Sequence, residues 1–418
     1  MDNFLMNTVI ILALIVVLGY FNEKVTKFTY EISLMLFSVI IGCIILLICN
    51  IFKGTEFVSQ TLSGLHMFNI ESFLMEGVLC FMLFAGSCHM RLYDFKKHAR
   101  AISILSIGAT LLGAVFYGLL FFGAGKILGL NLSLPVCLMF GSIIAPTDPI
   151  AATSILKKFN LPSNISFIIE GESLLNDGVG VALFVCFSGA VSAQENGSFL
   201  MIMGKEIFGA VLVGILVTAV CFPILKRTES ETRQIFASLL SVSSAYLICE
   251  TFGFSGAIAS VVCGVLFSAL RNYSEQKGHH LDLTQFDIFW GILDNLLNSI
   301  LYVILGLSFM HILQMPHVIV LSVISVIANL IGRSGSLSVS TLFMGKLPDG
   351  YDKISFIKLL TWGGLRGGLS VALAMSTAGM VDQNTYYIIL GGTYAIVFFT
   401  TIIQGMTMSR VYKKIQNR

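Results

Sequence analysis

Apolar runs of about twenty residues recur along almost the whole chain, each separated from the next by a short polar stretch. A helix of about 20 apolar residues crosses the roughly 30 Å hydrocarbon core of a bilayer. Only 11% of the residues are charged and 56% are hydrophobic, whereas roughly 25% of the residues of a soluble domain are charged. The sequence therefore predicts an all-α polytopic membrane protein that lies in the lipid bilayer as a single integral domain over residues 1–418.

The apolar runs divide into thirteen predicted spans. Their boundaries lie near residues 5–21, 31–51, 71–90, 101–125, 134–156, 164–192, 203–225, 235–252, 256–271, 287–311, 317–343, 354–379 and 385–409. With this count, 20 Lys and Arg residues lie on the face of a short C-terminal tail, 410–418, and 3 lie on the other face. Because cytoplasmic loops are rich in Lys and Arg, we expect a multi-pass protein of the cell membrane, with its N-terminus outside and its C-terminus in the cytoplasm.

Composition also limits which partners and cofactors the chain is expected to bind. The nine cysteines, Cys43 through Cys263, lie inside apolar spans without the spacing of metal ligands, so neither a disulfide framework nor a resident metal site is expected. A net charge of +2 is too small to indicate a nucleic-acid partner. We expect no cofactor.

Two of the spans are interrupted by residues that break helices. Span five contains Pro146 and Pro149, and span twelve contains the glycine-rich segment 363–368. Proline removes a backbone donor, and glycine lets the backbone unwind. The two spans are seven apart, so two inverted repeats, about 1–192 and 235–409, would be joined by a linker helix at about 203–225. Such repeats place two crossed discontinuous helices at an ion site near the middle of the membrane.

Span six carries the densest group of polar side chains. Ser173 and Asp177 are one helical turn apart on one face, and Glu172 lies over Asn176 on a neighbouring face. An ionisable group inside a membrane is costly and indicates a functional site. Carboxylate and hydroxyl oxygens suit Na⁺, K⁺ or Li⁺, and a carboxylate also binds a proton. Ion and proton can therefore compete for Asp177, which is sufficient for exchange between them.

Four further residues complete the predicted polar set. Asp148 and Thr147 in span five are the expected second contributors to the ion site. Glu172 needs a cation, and Arg333 in span eleven is the expected partner in a structural ion pair. Arg366 in span twelve is expected to neutralise the carbonyl ends at the crossing.

These residues resemble a known family, the monovalent cation/proton antiporters that include bacterial NhaP and the animal Na⁺/H⁺ exchangers. The resemblance rests on four segments, which are 171–178 (GESLLNDG), 147–149 (TDP), the Arg333 region and 362–367 (WGGLRG). It implies the NhaA/NhaP-like antiporter fold. It also implies that Asp177 binds ion and proton, that Ser173 is a ligand, and that Asp148 and a Thr147 carbonyl contribute.

The resemblance implies more about the assembly and the support of the site. The family's Glu–Arg structural pair maps to Glu172 and Arg333, and Asn176 helps to hold the crossing together. Asn176 before the key carboxylate is similar to the electroneutral, one-for-one members, and Asn298 fits a family position. The family is homodimeric, with a six-helix core that moves. Where some relatives have an acid in span three, this chain has the apolar segment 83–86.

The favoured interpretation is a secondary active antiporter, not an enzyme, that exchanges Na⁺, or K⁺ or Li⁺, for H⁺ by alternating access. Two other classes of protein stay open. A cation channel would also have carboxylates within the membrane. The Gly253-Phe254-Ser255-Gly256 segment, with His311 downstream, matches the nucleophile segment of intramembrane serine proteases, although close packing of small residues explains the same pattern.

Overall fold

The computed structural model describes residues 4–51, 78–88, 92–148, 162–192, 199–228, 230–276, 283–312, 318–345, 347 and 351–416. Helix accounts for 89% of the structure, and no strand occurs in these ranges. A segment that crosses hydrocarbon must satisfy its backbone polar groups internally, and the α-helix does so within one segment. The predicted all-α class is confirmed.

Sixteen helices are described, and we number them α1 to α16 in chain order. They are Phe4–Phe21, Tyr30–Ile51, Leu79–Cys88, Leu92–Ser103, Thr110–Ile127, Leu134–Ile144, Ser163–Ser192, Phe199–Arg227, Glu231–Phe252, Gly256–Gln276, Thr284–Ile312, Val318–Met344, Lys353–Trp362, Gly368–Met375, Gln383–Phe398 and Gly405–Gln416. Three π-helical stretches continue α1 and join α4 to α5 and α15 to α16; they are Asn22–Thr26, Ile104–Ala109 and Phe399–Gln404.

Ten helical segments in the described ranges are long and apolar enough to cross a bilayer, and they coincide with ten of the predicted spans. The three remaining predictions, 71–90, 134–156 and 354–379, correspond to α3, to α6 and to the pair α13 and α14. Residues 71–77 and 149–156 lie outside the described ranges, so the count of thirteen stays a prediction. The last helix continues to Gln416, well past the predicted end at 409.

The predicted interruption of span twelve is confirmed, and the described part of span five stops being helical at its predicted break. Helix α6 ends at Ile144, and residues 146–148 are not helical. Helix α13 ends at Trp362, and α14 begins at Gly368. The Asp148 N–H donates a hydrogen bond of 2.8 Å to the Leu365 carbonyl, so the two non-helical segments touch. We call this contact the crossing.

The helices pack in two groups. The first group contains α4 to α7 and α12 to α16, and therefore both interrupted helices. The second group contains α1 to α3 and α8 to α11; within it, α11 packs along α2, and α10 packs along α3 and α8. The groups meet mainly where α7 lies against α10 and α8, and where α11 lies against α14 and α15. This division matches the six-span core that the family resemblance implies, because the first group consists of spans four to six and eleven to thirteen.

Candidate functional site

Asn176 ties α7 to the non-helical segment at the end of α6. Its Oδ1 accepts a hydrogen bond of 3.2 Å from the Thr147 N–H, and its Nδ2 donates to Thr147 Oγ1 at 2.7 Å. The same Nδ2 donates to Glu172 Oε1 at 3.2 Å, one turn earlier on α7. Asn176 thus satisfies a backbone donor that the break at Pro146 leaves without a helical partner. The family resemblance implied this supporting role for Asn176.

The predicted partner of Glu172 lies where it was expected. Arg333 on α12 donates to Glu172 Oε1 across 2.8 Å, and both side chains are almost completely buried. Because Asn176 on α7 donates to the same oxygen and also to Thr147, the carboxylate joins α7 to α12 directly and is connected through Asn176 to the segment after α6. An ion pair buried in this way is held by geometry and by additional hydrogen bonds.

Arg366 lies between the two interrupted helices and is 2% exposed. Its guanidinium donates from one nitrogen to the Ala145 and Pro146 carbonyls, at 2.5 and 2.7 Å, and from the other to Asn329 Oδ1 at 3.2 Å. The last carbonyls of a helix lack intrahelical partners and carry partial negative charge. Arg366 therefore neutralises the end of α6, as the sequence indicated.

The backbone of Arg366 is itself supported by the π-helical turn 399–404. The Arg366 N–H donates to Thr400 Oγ1 at 3.1 Å, and Thr401 Oγ1 donates to the Arg366 carbonyl at 3.2 Å. Two backbone groups freed by the break between α13 and α14 are thus satisfied by side chains of the last span. Buried backbone groups need such partners because water does not reach them.

The oxygen atoms suited to a cation collect at the same place. Thr147 Oγ1 and Ser173 Oγ are 2.8 Å apart. Asp177 lies one turn after Ser173 on α7 and is half-buried, and Asp148, Glu172 and Arg366 are the charged groups that act on it. Hydrogen bonds tie seven of the eight predicted site residues into the crossing, and Asp177 lies directly after Asn176 on α7. The Asp148 carboxylate and the hydroxyls of Thr147 and Ser173 supply oxygen atoms that suit a hard cation, and Asp177 offers a second carboxylate one turn after Ser173.

Four contributors to this network were not predicted from the sequence, namely Tyr302, Asn329, Thr400 and Thr401. The Tyr302 hydroxyl on α11 donates to Asp148 Oδ2 at 2.5 Å, from the second group of helices. A threonine, an asparagine or a tyrosine in an apolar span is common and carries no charge to mark it. Each partner is also distant in sequence, and Tyr302 is 154 positions from Asp148.

Several residues that drew attention in the sequence have other roles. Asp287, in the first turn of α11, pairs with Arg271, whose Nη1 donates to both carboxylate oxygens at 2.8 and 2.9 Å. Asn298 donates to the side chain and carbonyl of Asp294, one turn earlier on α11. Ser255 Oγ accepts the Ile258 N–H at the start of α10.

The protease-like segment is therefore a turn between two helices. Gly253 has a positive φ of 66° after α9, and Ser255 caps the helix that follows. A backbone conformation with positive φ favours glycine, which explains why glycine occupies the first position of this segment. The described part of the chain does not include Glu76, Pro149, His279, His280 or the side chain of His311.

The apolar segment of span three also has a packing role. Phe84 on α3 is completely buried, and its ring centroid lies 4.5 Å from that of Trp290 on α11. Trp290 donates from Nε1 to Ser238 Oγ on α9 at 3.1 Å. Phe84 and Ala85 of this segment therefore belong to the hydrophobic core of the second group.

Comparison with known proteins gives consistent matches over nearly the whole chain. The family model described as "Sodium/hydrogen exchanger, transmembrane" matches residues 10–414. The Na⁺/H⁺ antiporter NhaP of Pseudomonas aeruginosa is 26% identical over 416 residues, which cover 97% of this chain and 95% of that protein. The Na⁺/H⁺ antiporter NhaH of Halobacillus aidingensis is 31% identical over 318 residues, which cover 73% and 76% of the two chains.

A solved structure shares the fold. The sodium proton antiporter MjNhaP1 from Methanocaldococcus jannaschii at pH 8 superposes with a TM-score of 0.77, and the match covers 100% of both chains. The sequence identity to that structure is 18%. The expected NhaA/NhaP-like fold is therefore confirmed by a structure whose sequence has diverged widely.

Proposed function

The chain belongs to the sodium/hydrogen exchanger family, and from this premise we propose that it is a secondary active antiporter that exchanges Na⁺ for H⁺. The relatives named above as Na⁺/H⁺ antiporters match it over most of their length. The two substrates are the ion and the proton, and transport needs no chemical step on either.

One observation carries the proposal, which is the contact of the two interrupted helices. The hydrogen bond from the Asp148 N–H to the Leu365 carbonyl joins the two non-helical segments, and Asp148 carries a carboxylate at this point of the chain. Asn176 and the contact between the two hydroxyls join Thr147 and Ser173 to this segment, and Asp177 follows Asn176 on α7, which supports its assignment to the same site. Interrupted helices that meet in the membrane supply the polar groups that small ions need.

We assign the roles as follows. Asp177 takes either Na⁺ or a proton, while Ser173, Asp148 and the Thr147 carbonyl complete the ion shell. Asn176, Glu172, Arg333 and Arg366 hold the crossing together. Because Asn176 precedes Asp177 where a second acid would add a charge, the exchange is electroneutral and one for one. K⁺ and Li⁺ are the competing ions to be compared with Na⁺.

The assembly proposed for this function is a homodimer in the cell membrane, with the N-terminus outside and the C-terminus in the cytoplasm. The 20 to 3 distribution of basic residues between the faces supports the orientation. The two groups of helices support alternating access, because the first group carries the crossing and the second packs against it.

The test uses proteoliposomes with an internal pH dye and a clamped membrane potential. Na⁺, K⁺ or Li⁺ is added to the unchanged protein, to Asp177→Asn and to Glu250→Gln. Glu250 is a matched control, since it is an exposed acid at the end of α9 that accepts the Gly256 N–H. We expect Na⁺-driven proton movement in the unchanged protein and in Glu250→Gln, and none in Asp177→Asn.

Two outcomes contradict the proposal. Normal exchange by Asp177→Asn would show that the ion and the proton bind elsewhere. Cation flux without proton movement in the unchanged protein would favour the cation channel.

A further inference from the structure

A small cavity lies beside the crossing, where α5, α6 and α12 meet the segment between α13 and α14. Its volume is about 10 Å³, and the residues that line it include Tyr117, Asn329, Arg333 and Arg366. A cavity of about 10 to 15 Å³ is the smallest that holds one water molecule. The cavity therefore has the size of a single small ligand, and it borders both arginines that support the site.

Each of these arginines has one donor that the surrounding helices do not satisfy. Arg333 donates from Nη2 to Glu172, and Arg366 donates from Nη1 and Nη2 to the carbonyls and the amide described above. The Nε–H of either residue is buried and has no hydrogen-bond partner among the described residues. A buried donor without an acceptor costs free energy, and the cost is larger where the surroundings are apolar. Two such donors beside one cavity indicate that it holds an acceptor.

The acceptor must also tolerate two positive charges. Arg333 acts electrostatically on Arg366, and the two residues are 4% and 2% exposed, so bulk water does not screen their repulsion. An oxygen atom between the guanidinium groups carries partial negative charge and reduces this repulsion. A cation in the same place would increase it. The charge of the lining therefore excludes a cation from the cavity.

Size and hydrogen bonding decide among the other ligands. A halide ion is larger than a water molecule, and the cavity has room for about one water molecule. A water molecule accepts two hydrogen bonds and donates two. Tyr117 and Asn329, which also line the cavity, each carry a side-chain oxygen that can accept a hydrogen bond. Donors and acceptors are thus both present in the lining, as a bound water molecule requires.

We infer that one water molecule is bound in this cavity and accepts hydrogen bonds from Arg333 and Arg366. It connects the buried Glu172–Arg333 pair to the crossing, because Arg366 holds the carbonyls at the end of α6. The water also allows two like charges to lie close together in the first group of helices. The inference goes beyond the proposed function, since it is the same whichever ion is carried, and failure of Na⁺/H⁺ exchange would leave it standing.

The first experiment uses water itself as the probe. Short X-ray pulses split bound water into hydroxyl radicals, which oxidise the side chain that the water touches. The unchanged protein is irradiated in micelles in isotope-labelled water, and mass spectrometry measures the oxidation of single residues. Tyr117 and Tyr412 are both 2% exposed, but Tyr412 does not line the cavity. We expect labelled oxygen to be incorporated at Tyr117 and not at Tyr412. Oxidation of Tyr117 no faster than that of Tyr412 would overturn the inference.

The second experiment fills the cavity with a methyl group. Gly113 on α5 lines it, and a Cβ atom added there would lie 3.6 and 3.9 Å from the Ser336 side chain, which are ordinary contacts. Gly123 on the same helix is the matched control, because no atom lies within 4 Å of its added Cβ. Alanine is favoured over glycine inside a helix, so Gly123→Ala should raise the melting temperature in micelles.

The bound water reverses the sign of this effect at position 113. Gly113→Ala displaces the water and leaves both Nε–H groups without an acceptor, so we expect it to melt below Gly123→Ala and to lose the oxidation of Tyr117. If the cavity held no water, the added methyl group would only improve packing. A melting temperature of Gly113→Ala equal to or above that of Gly123→Ala, or oxidation of Tyr117 as in the unchanged protein, would therefore contradict the inference. The oxidation of Tyr117 in the unchanged protein decides the question if Gly113→Ala does not fold.

Discussion

At the scale of single residues, the crossing separates groups that hold the helices from groups that remain available for an ion. Glu172 and Arg333 form a buried ion pair, and Arg366 donates hydrogen bonds to two carbonyls and to Asn329. Asp177 is half-buried on the neighbouring face of α7. A charge left alone in a buried site is far more costly than a buried pair, so the supporting groups should respond to substitution through stability.

Breaking the Glu172–Arg333 pair should therefore destabilise the fold. We expect Glu172→Gln to lower the free energy of unfolding by about 3 to 5 kcal/mol, because Arg333 loses its buried counter-ion. The double variant Glu172→Gln with Arg333→Gln should recover part of the loss, since it contains no isolated charge. Thermal unfolding in detergent micelles measures the effect, with Glu250→Gln as the exposed control. A single variant that unfolds at the temperature of the unchanged protein would contradict the assignment.

At the scale of helical elements, the crossing depends on close approach of backbone segments. Gly367 meets the Asp148 carboxyl group, and Gly180 on α7 meets the ring of Pro146. A methyl group at either position would occupy the space of an atom already present. Two short segments without helical hydrogen bonds can only approach one another in this way where the side chain is absent.

Gly367→Ala should abolish exchange with little loss of folded protein. Its Cβ would lie 2.5 Å from Asp148 Oδ2, so the carboxylate must move out of the ion site. Gly204→Ala on α8 is the matched control, since no atom lies within 4 Å of its added Cβ. Alanine is favoured over glycine inside a helix by about 1 kcal/mol, so the control should be at least as stable as the unchanged protein. The measurement is the Na⁺-driven proton flux divided by the amount of folded protein. Equal values for Gly367→Ala and Gly204→Ala would contradict the prediction.

The loop before α15 offers a test of helix capping outside the membrane. Asp382 accepts hydrogen bonds from the Thr385 N–H at 3.1 Å and the Thr385 hydroxyl at 2.7 Å. These bonds favour the ionised form, so they lower the pKa of Asp382 below its ordinary value. A lowered pKa in the folded state stabilises the fold above the unfolded pKa of roughly 4, and the gain disappears as the pH falls through the folded pKa.

Asp382→Ala should therefore lower the free energy of unfolding by about 1 kcal/mol at neutral pH, as the loss of an N-cap does. The difference from the unchanged protein should shrink as the pH falls below roughly 4. Melting temperatures in micelles across this range measure it. A difference that stayed constant down to acid pH would show that the carboxylate charge is not involved.

At the scale of the whole molecule, the described helices form two groups that pack against each other. Among the described residues, the hydrogen bonds of Asn176, Arg333 and Arg366 lie within the first group, and the second group contributes Tyr302. The helices α13 and α14 together form one predicted span. If this span crosses the membrane, the residues before α13 and those after α14 lie on opposite sides of it. Charge bias in the sequence assigns the side of Lys353 to the cytoplasm.

Labelling of introduced cysteines should reveal this orientation. Lys353→Cys lies at the start of α13, and Met380→Cys lies after α14; both positions are exposed. We expect a membrane-impermeant thiol reagent to label Met380→Cys in intact cells and Lys353→Cys only after the membrane is opened. The eight described native cysteines are free, so both variants need a background without accessible native thiols. The reverse pattern of labelling would invert the proposed topology.

The sequence by itself determined the spans, the helix breaks and the charged site residues, because each depends on chemistry that acts locally. Hydropathy marked the spans because a helix must match the thickness of the bilayer. Pro146 and the glycines of 363–368 marked the breaks because they change the backbone where they stand. Charge marked Asp148, Glu172, Asp177, Arg333 and Arg366, since an ionisable group in an apolar span is rare enough to be noticed.

Only the tertiary structure decided which polar but uncharged groups complete the site. Tyr302, Asn329 and Thr400 are 154, 37 and 34 positions from the residues that they contact. No periodicity connects positions so far apart, and a neutral hydroxyl or amide is inexpensive enough in a membrane helix to occur without function. The packing of whole helices determines which groups these three side chains contact. That Tyr302 reaches Asp148 from the second group of helices therefore became visible only when the two groups were assembled.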